Sequence, residues 1–290
     1  MNSQPATYQL VDLGRGKKLE RFGDRLVVRP CPVQESPQRT LEAWRRADLE
    51  FVRQPKQPKN ERGRWVPHRP VPATWQLTAG PLVMNLQPTP FGHLGVFPEQ
   101  MANWEWISKM SGRLTGLQAL NLFAYTGGTS LALAAAGAQV VHLDSSRSVV
   151  QWAQRNSIDS GLGQAPIRWI IDDALTFLKR EIRRGRRYDI IVADPPAFGH
   201  GLKRKGWKFD RDLDRLLEYL AVLTRGVPRI VLLTGHSIGC DSNALLARVQ
   251  THFSELASEK WESGPMVLTA ETGKRLPSGY LVRYADVFSL

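Results

Sequence analysis

Four acidic residues, each placed at the end of an apolar run, are where this 290-residue chain could do chemistry. Asp144 closes Val140-Val-His-Leu, Asp172 and Asp173 follow Trp169-Ile-Ile, and Asp194 follows Ile190-Ile-Val-Ala. A carboxylate there accepts from hydroxyls or amines, and the C-terminal ends of parallel strands are where open α/β sheets bind ligands. Ahead of them runs Asn121-Leu-Phe-Ala-Tyr-Thr-Gly-Gly-Thr-Ser130: an apolar strand, a glycine turn and the start of an alanine-rich helix.

A pyrophosphate site would place three spaced glycines after that strand. Thr126-Gly-Gly-Thr-Ser does not. A turn lined by Phe123, Tyr125 and Gly127 suits a smaller nucleoside with an amino-acid tail, such as S-adenosylmethionine. Asp144, sixteen residues beyond Gly128, can accept both ribose hydroxyls with no phosphate beside it. Asp173 can accept from an adenine amine while the Ala174 N–H donates to the ring, and Asp172 reads as the cap of the next helix. In Asp194-Pro-Pro-Ala-Phe198 the prolines remove backbone donors and leave carbonyls to accept from an amine. Asp194 and the Pro195 carbonyl are thus expected to orient a reacting nitrogen, and Phe198 to stack its ring.

The elements that must hold these residues follow from periodicity. From about residue 96, strands and helices alternate, with strands at 119–124, 140–144, 167–171, 188–194 and 229–234, and a closing pair at 265–270 and 280–287. This predicts an α/β fold, a doubly wound, mostly parallel seven-stranded sheet. Residues 1–95 read as a small, mainly β domain: a hairpin within residues 8–33, a helix over Gln38–Arg53, an exposed basic loop over Gln54–Pro72 containing Trp65, and further strands. Lys and Arg number 39 against 27 Asp and Glu, a net charge of +12, which makes a polyanion, nucleic acid first, the expected partner. Two cysteines are too few for a disulfide framework or a cysteine-rich metal site, so no metal is expected. No apolar run is long enough to cross a membrane, and a cytoplasmic protein is expected. His200-Gly-Leu-Lys-Arg-Lys-Gly-Trp-Lys-Phe209 reads as a lid in which Lys203, Arg204 and Lys205 meet RNA phosphate and Trp207 stacks on a base. The basic run 179–187 reads as a solvated helix end.

Together, Asn121–Thr129, Asp144-Ser145, Asp172-Asp173-Ala174 and Asp194-Pro-Pro-Ala-Phe198 resemble the class I S-adenosylmethionine-dependent methyltransferases. The resemblance is to the Rossmann-like group that methylates cytosine C5 or guanine N7 of large-subunit ribosomal RNA, and to a bacterial subfamily of unassigned substrate. It covers roughly residues 90–290. His93-Leu-Gly-Val-Phe-Pro-Glu-Gln100 is similar to that group's Thr-Gly-x-Phe-Leu-Asp-Gln motif, departing at His93-Leu94 and Pro98-Glu99. The resemblance implies that Phe97, Gln100 and Ser145 also contact the cofactor. Methylation at cytosine C5 needs a thiolate. After the fifth strand this chain has Thr234-Gly-His-Ser-Ile-Gly-Cys240, with Cys240 three or four residues late. Transfer to a nitrogen of an RNA base is therefore expected, with His236 available as a proton acceptor. The alternatives are a small-molecule or protein acceptor, and an RNA-binding module without turnover. The number of subunits is not legible.

Overall fold

The structure, a computed structural model, describes residues 7–54, 62–112, 114, 116–198, 206–224, 230–237 and 239–286. Its contacts divide the chain into two units, Met1–Pro98 with Val267–Leu276, and Glu99–Met266 with Pro277–Leu290.

The first unit contains β1 (Tyr8–Gly14), β2 (Lys17–Phe22), β3 (Arg25–Pro30), α1 (Leu41–Arg45), β4 (Leu49–Arg53), β5 (Gly63–Pro67), β6 (Trp75–Ala79) and β7 (Leu82–Leu86). Strands β1 to β5 form one sheet in that order, and β6 pairs with β7. Three expectations fail here. In place of one hairpin, residues 8–33 hold three strands, the middle one β2, because Leu19 and Phe22 are buried and Glu20 is paired with Arg29 at 2.6 and 2.7 Å. The expected helix over 38–53 is five residues of α1 followed by β4. Leu49 and Phe51 alternate into the core, a period of two. Trp65, expected in a loop, lies in β5 with its indole donating to the Thr89 carbonyl at 2.7 Å and its ring 5.0 Å from Phe51.

The second unit begins with α2 (Met101–Ser111), then β8 (Gln118–Leu122), α3 (Gly128–Ala135), β9 (Gln139–Asp144), α4 (Arg147–Asp159), β10 (Ile167–Ile171), α5 (Ala174–Arg183), β11 (Ile190–Ala193), α6 (Phe209–Thr224), β12 (Ile230–Gly235), α7 (Ser242–His252), β13 (Trp261–Thr269) and β14 (Arg275–Ala285). The ends of the last two strands, Val267–Leu276, cluster with the first unit, which differs from a single 96–290 domain. The sheet order is β10-β9-β8-β11-β12-β14-β13, parallel from β10 to β12, with β14 antiparallel to β12. This is the doubly wound seven-stranded sheet that the alternation predicts. Leu120 and Leu122 point into an apolar core with residues of α5, α6 and α7. Asn121, between them, bonds Ser130 of α3 on the opposite face at 2.9 Å. The order reverses beside β8, so the ends of β8, β9 and β11 flank the crevice where such sheets bind ligands.

Candidate active site at the C-terminal edge of the sheet

The turn leaving β8 is wound tightly. Phe123 and Tyr125 have φ of 54° and 49°, and Gly127 has 93°. For side-chain-bearing residues this left-handed region costs of order 1–3 kcal/mol each and persists only where the surroundings enforce it. Here the enforcement is explicit. Ala124 N–H donates to the Leu143 carbonyl at 3.0 Å, Asn156 donates to the Thr126 carbonyl at 2.9 Å, and Tyr125 N–H donates to Asp144 Oδ2 at 3.0 Å. The two glycines have separate duties. A Cβ on Gly127, whose φ already favours glycine, would lie 3.0 Å from the Ala153 Cβ; one on Gly128 would lie 2.0 Å from the Trp104 ring. Gly128 therefore exists to let α2 pack against the turn. No sequence motif signalled that.

Asp144 is half-buried, and Ser146 N–H donates to its other oxygen at 2.9 Å. Burial pushes its pKa up, against backbone N–H groups of Ser146, Tyr125 and Ser145 that pull it down. A desolvated carboxylate of this kind gains from further donors such as hydroxyls. Ser145 follows it, also half-buried.

At the end of β10 the expected helix cap is corrected. Asp173, not Asp172, caps α5: its Oδ1 accepts from Thr176 N–H at 2.9 Å. Asp172 is ion-paired with Arg180 and also accepts from Asp173 N–H at 2.8 Å. The cap uses one Asp173 oxygen, so this side chain combines cap and candidate ligand. Ala174 is the buried first residue of α5.

Asp194 is fixed by a chain of hydrogen bonds whose directions are determined. Asn103 Nδ2 donates to Gln100 Oε1 at 2.8 Å, which turns the Gln100 amide so that Nε2 faces Asp194 Oδ2 at 3.2 Å and Thr234 Oγ1 at 3.1 Å. Thr234 Oγ1 then donates to Asp194 Oδ1 at 2.7 Å. Both carboxylate oxygens accept from neutral donors, so the side chain is oriented as an acceptor. Gln100 was expected on the cofactor; here its amide engages Asp194. Asn103 and Thr234 were not anticipated, although Gln100 and Asn103 stand one helical turn apart and Thr234 occupies the strand end beside Asp194.

Pro195 is buried, and Phe198 is 79% exposed. The Pro196 carbonyl is not free for a substrate amine, because the Trp207 indole donates to it at 2.6 Å. Trp207 is 6% exposed with its ring 5.0 Å from Phe123, so it is a wall of the core and not a lid residue. Lys203, Arg204 and Lys205 lie outside the described residues. Phe97 belongs to the first unit, its ring 5.2 Å from His93. His236 is exposed. The Cys240 thiol donates to the Asp241 carbonyl at 3.6 Å, just before Asp241 caps α7. Among the described residues no group of three or more His, Cys, Asp or Glu could hold a metal ion, and no helix is long and apolar enough to cross a membrane.

Comparison with known proteins agrees with this fold. The chain is 33% identical to the S-adenosylmethionine-dependent methyltransferase from Agrobacterium tumefaciens, whose crystal structure superposes with a TM-score of 0.88 over 98% of this chain and 92% of that one. A methyltransferase from Streptococcus mutans, 14% identical, shares the fold with a TM-score of 0.76, over 98% of this chain and 76% of that one. Among curated relatives, ribosomal RNA large subunit methyltransferase K/L from Aliivibrio fischeri is 32% identical over 147 residues, 50% of this chain and 20% of that protein. Ribosomal RNA large subunit methyltransferase I from Aeromonas salmonicida is 32% identical over 109 residues, 37% of this chain and 27% of that protein. The matched region thus spans a quarter or less of the first relative's length and about a quarter of the second's. The family model described as S-adenosylmethionine-dependent methyltransferase matches residues 37–267, and the chain belongs to that family.

Proposed function

We propose that this protein transfers the methyl group of S-adenosylmethionine to a nitrogen of an RNA base, with ribosomal RNA the first acceptor to test. The cofactor supplies an electrophilic methyl on a sulfonium. Asp144 would hold the ribose hydroxyls, with Ser145 beside it. Asp173 and Ala174 would meet the adenine, and Phe123, Tyr125 and Gly127 would shape the wall between them. The observation that carries the nitrogen reading is the Asn103–Gln100–Asp194–Thr234 chain, which presents Asp194 as an acceptor. A substrate amino group donating one N–H to Asp194 and the other to the Pro195 carbonyl would have its nitrogen lone pair directed at the methyl, and such alignment is most of what an in-line transfer requires. The exposed Phe198 ring would stack the base. His236 would take up the proton released.

Two further observations support this choice. Cys240, the cysteine nearest the site in sequence, uses its thiol on the Asp241 carbonyl at the start of α7, which argues against addition of a thiolate to a pyrimidine. The net charge of +12 and the ribosomal RNA relatives favour RNA over a small molecule or a protein. The basic segment Lys203-Arg204-Lys205 and the first unit would contribute to RNA binding, in the cytoplasm where ribosomes are assembled.

The test is a mass-spectrometric comparison of modified nucleosides in ribosomal and transfer RNA from cells with and without the protein. One N-methylated nucleoside should vanish on deletion and return with the wild-type gene but not with Asp194→Ala. A lost C-methylated nucleoside would overturn the nitrogen assignment, and unchanged RNA would overturn the RNA acceptor.

A further inference from the structure

The edge of the second unit's sheet opposite the site carries a recess of about 490 Å³. Gln118, Gln139 and Pro166 line it at the starts of β8, β9 and β10, with Arg168, Arg186 and Arg187. The basic run 179–187 is therefore more than a solvated helix end. Two of its cations are already paired. Arg180 pairs with Asp172 and Arg184 with Glu181, whose second oxygen accepts from the Tyr188 hydroxyl at 2.7 Å. Glu181, the recess's carboxylate, is thereby already satisfied. Arg168, Arg186 and Arg187 are exposed and enter no ion pair among the described residues. Arg168 feels the charge of Glu181, and the Arg187 guanidinium donates to the Arg186 carbonyl at 2.9 Å, so together the three give the concavity a positive field that suits an anion. Guanidinium forks match phosphate oxygens geometrically. The amides of Gln118 and Gln139 add neutral donors at the same rim.

We propose that this recess binds the phosphodiester backbone of the RNA acceptor at a point remote from the methylated base. Strands of five and six residues separate it from the catalytic edge, roughly 15–20 Å at about 3.3 Å per residue. It grips flanking RNA and does not touch the target. This rests on RNA being the acceptor, so the experiment separates the two ideas.

Large-subunit ribosomal RNA transcribed in vitro and labelled with fluorescein is titrated with wild-type protein over roughly 50–200 mM KCl, followed by anisotropy. S-adenosylmethionine affinity is measured in parallel by calorimetry. Combined Arg168→Ala, Arg186→Ala and Arg187→Ala should weaken RNA binding by about tenfold or more and reduce the salt slope by roughly two to three, since each lost phosphate contact removes roughly 0.7–0.9 from it. Cofactor affinity should not change. A control with Lys109→Ala and Arg155→Ala, both exposed on the same unit, should stay near wild type. Wild-type affinity and slope in the triple variant would overturn the recess, as would an equal loss per charge removed in the control, which would mean that only net charge matters. Absence of RNA binding by the wild type with cofactor binding intact would overturn the RNA reading itself, and the recess with it.

Discussion

At the scale of single residues, the site is a set of carboxylates whose neighbours determine what each can do. Asp144 has its pKa raised by burial, and only the ionised form can accept from both hydroxyls of a ribose. Cofactor affinity should therefore fall on acidification at a pH above the range of an ordinary aspartate. Asp144→Asn should weaken S-adenosylmethionine by about 10- to 100-fold at neutral pH, the loss of roughly 1.5–3 kcal/mol from charge-assisted hydrogen bonds, and should remove the acid dependence. Isothermal titration across pH checks both. Thr234 and Gln100 act on Asp194, which the chemistry would use directly. Thr234→Val should lower turnover of methylated RNA at saturating cofactor about tenfold, the net worth of one hydrogen bond to a charged group, while leaving the cofactor dissociation constant within about twofold. Thr234→Ser should restore it, because it keeps the hydroxyl. A Thr234→Val enzyme with full turnover but weak cofactor binding would reassign this residue to the cofactor.

At the scale of elements, the turn after β8 depends on two glycines for different reasons. Gly128→Ala would force a Cβ to within 2.0 Å of the Trp104 ring. That should destabilise the second unit by about 1–3 kcal/mol, the usual cost of overpacking, measured as a lowered thermal midpoint. Adding Trp104→Leu should recover much of it, since the two changes share one contact. The strands and helices of this unit were legible because each buries a periodic apolar face, as in Leu120 and Leu122 on one side of β8. The first unit was less so. Strand β2 is rich in Lys and Arg, and only the burial of Leu19 and the pairing of Glu20 with Arg29 make it a strand. The helix expected over 38–53 failed because Leu49 and Phe51 fit either period in so short a window.

At the scale of the whole molecule, acid should act on the two units differently. Glu20 is fully buried. Burial alone would raise its pKa, but the charges of Arg29 and Lys18 and hydrogen bonds from Arg29 and Tyr8 outweigh it, holding the group down at about 2. The folded pKa lies below the unfolded value near 4.5, so the stabilisation is complete above that value and is lost as pH falls toward 2. Denaturation midpoints of the first unit should therefore drop steeply over this window. Glu20→Gln should flatten the drop and cost about 3–5 kcal/mol at neutral pH by removing the carboxylate that neutralises the buried Arg29 charge. A wild-type stability indifferent to pH between 5 and 2 would contradict the pair.

The sequence by itself determined the alternating framework, the turn without a phosphate fingerprint, and the placement of Asp144, Asp173 and Asp194 at strand ends. These are properties of local period and turn chemistry, which adjacent residues carry. Only the tertiary structure decided which aspartate caps α5 and that Trp207 closes the core instead of a lid. It likewise decided that Gln100 and Thr234 meet at Asp194, and that Arg168 gathers with Arg186 and Arg187 around one recess. Each of these depends on where side chains from distant segments point once the strands pair. Local spacing does not encode that direction, and long-range packing does.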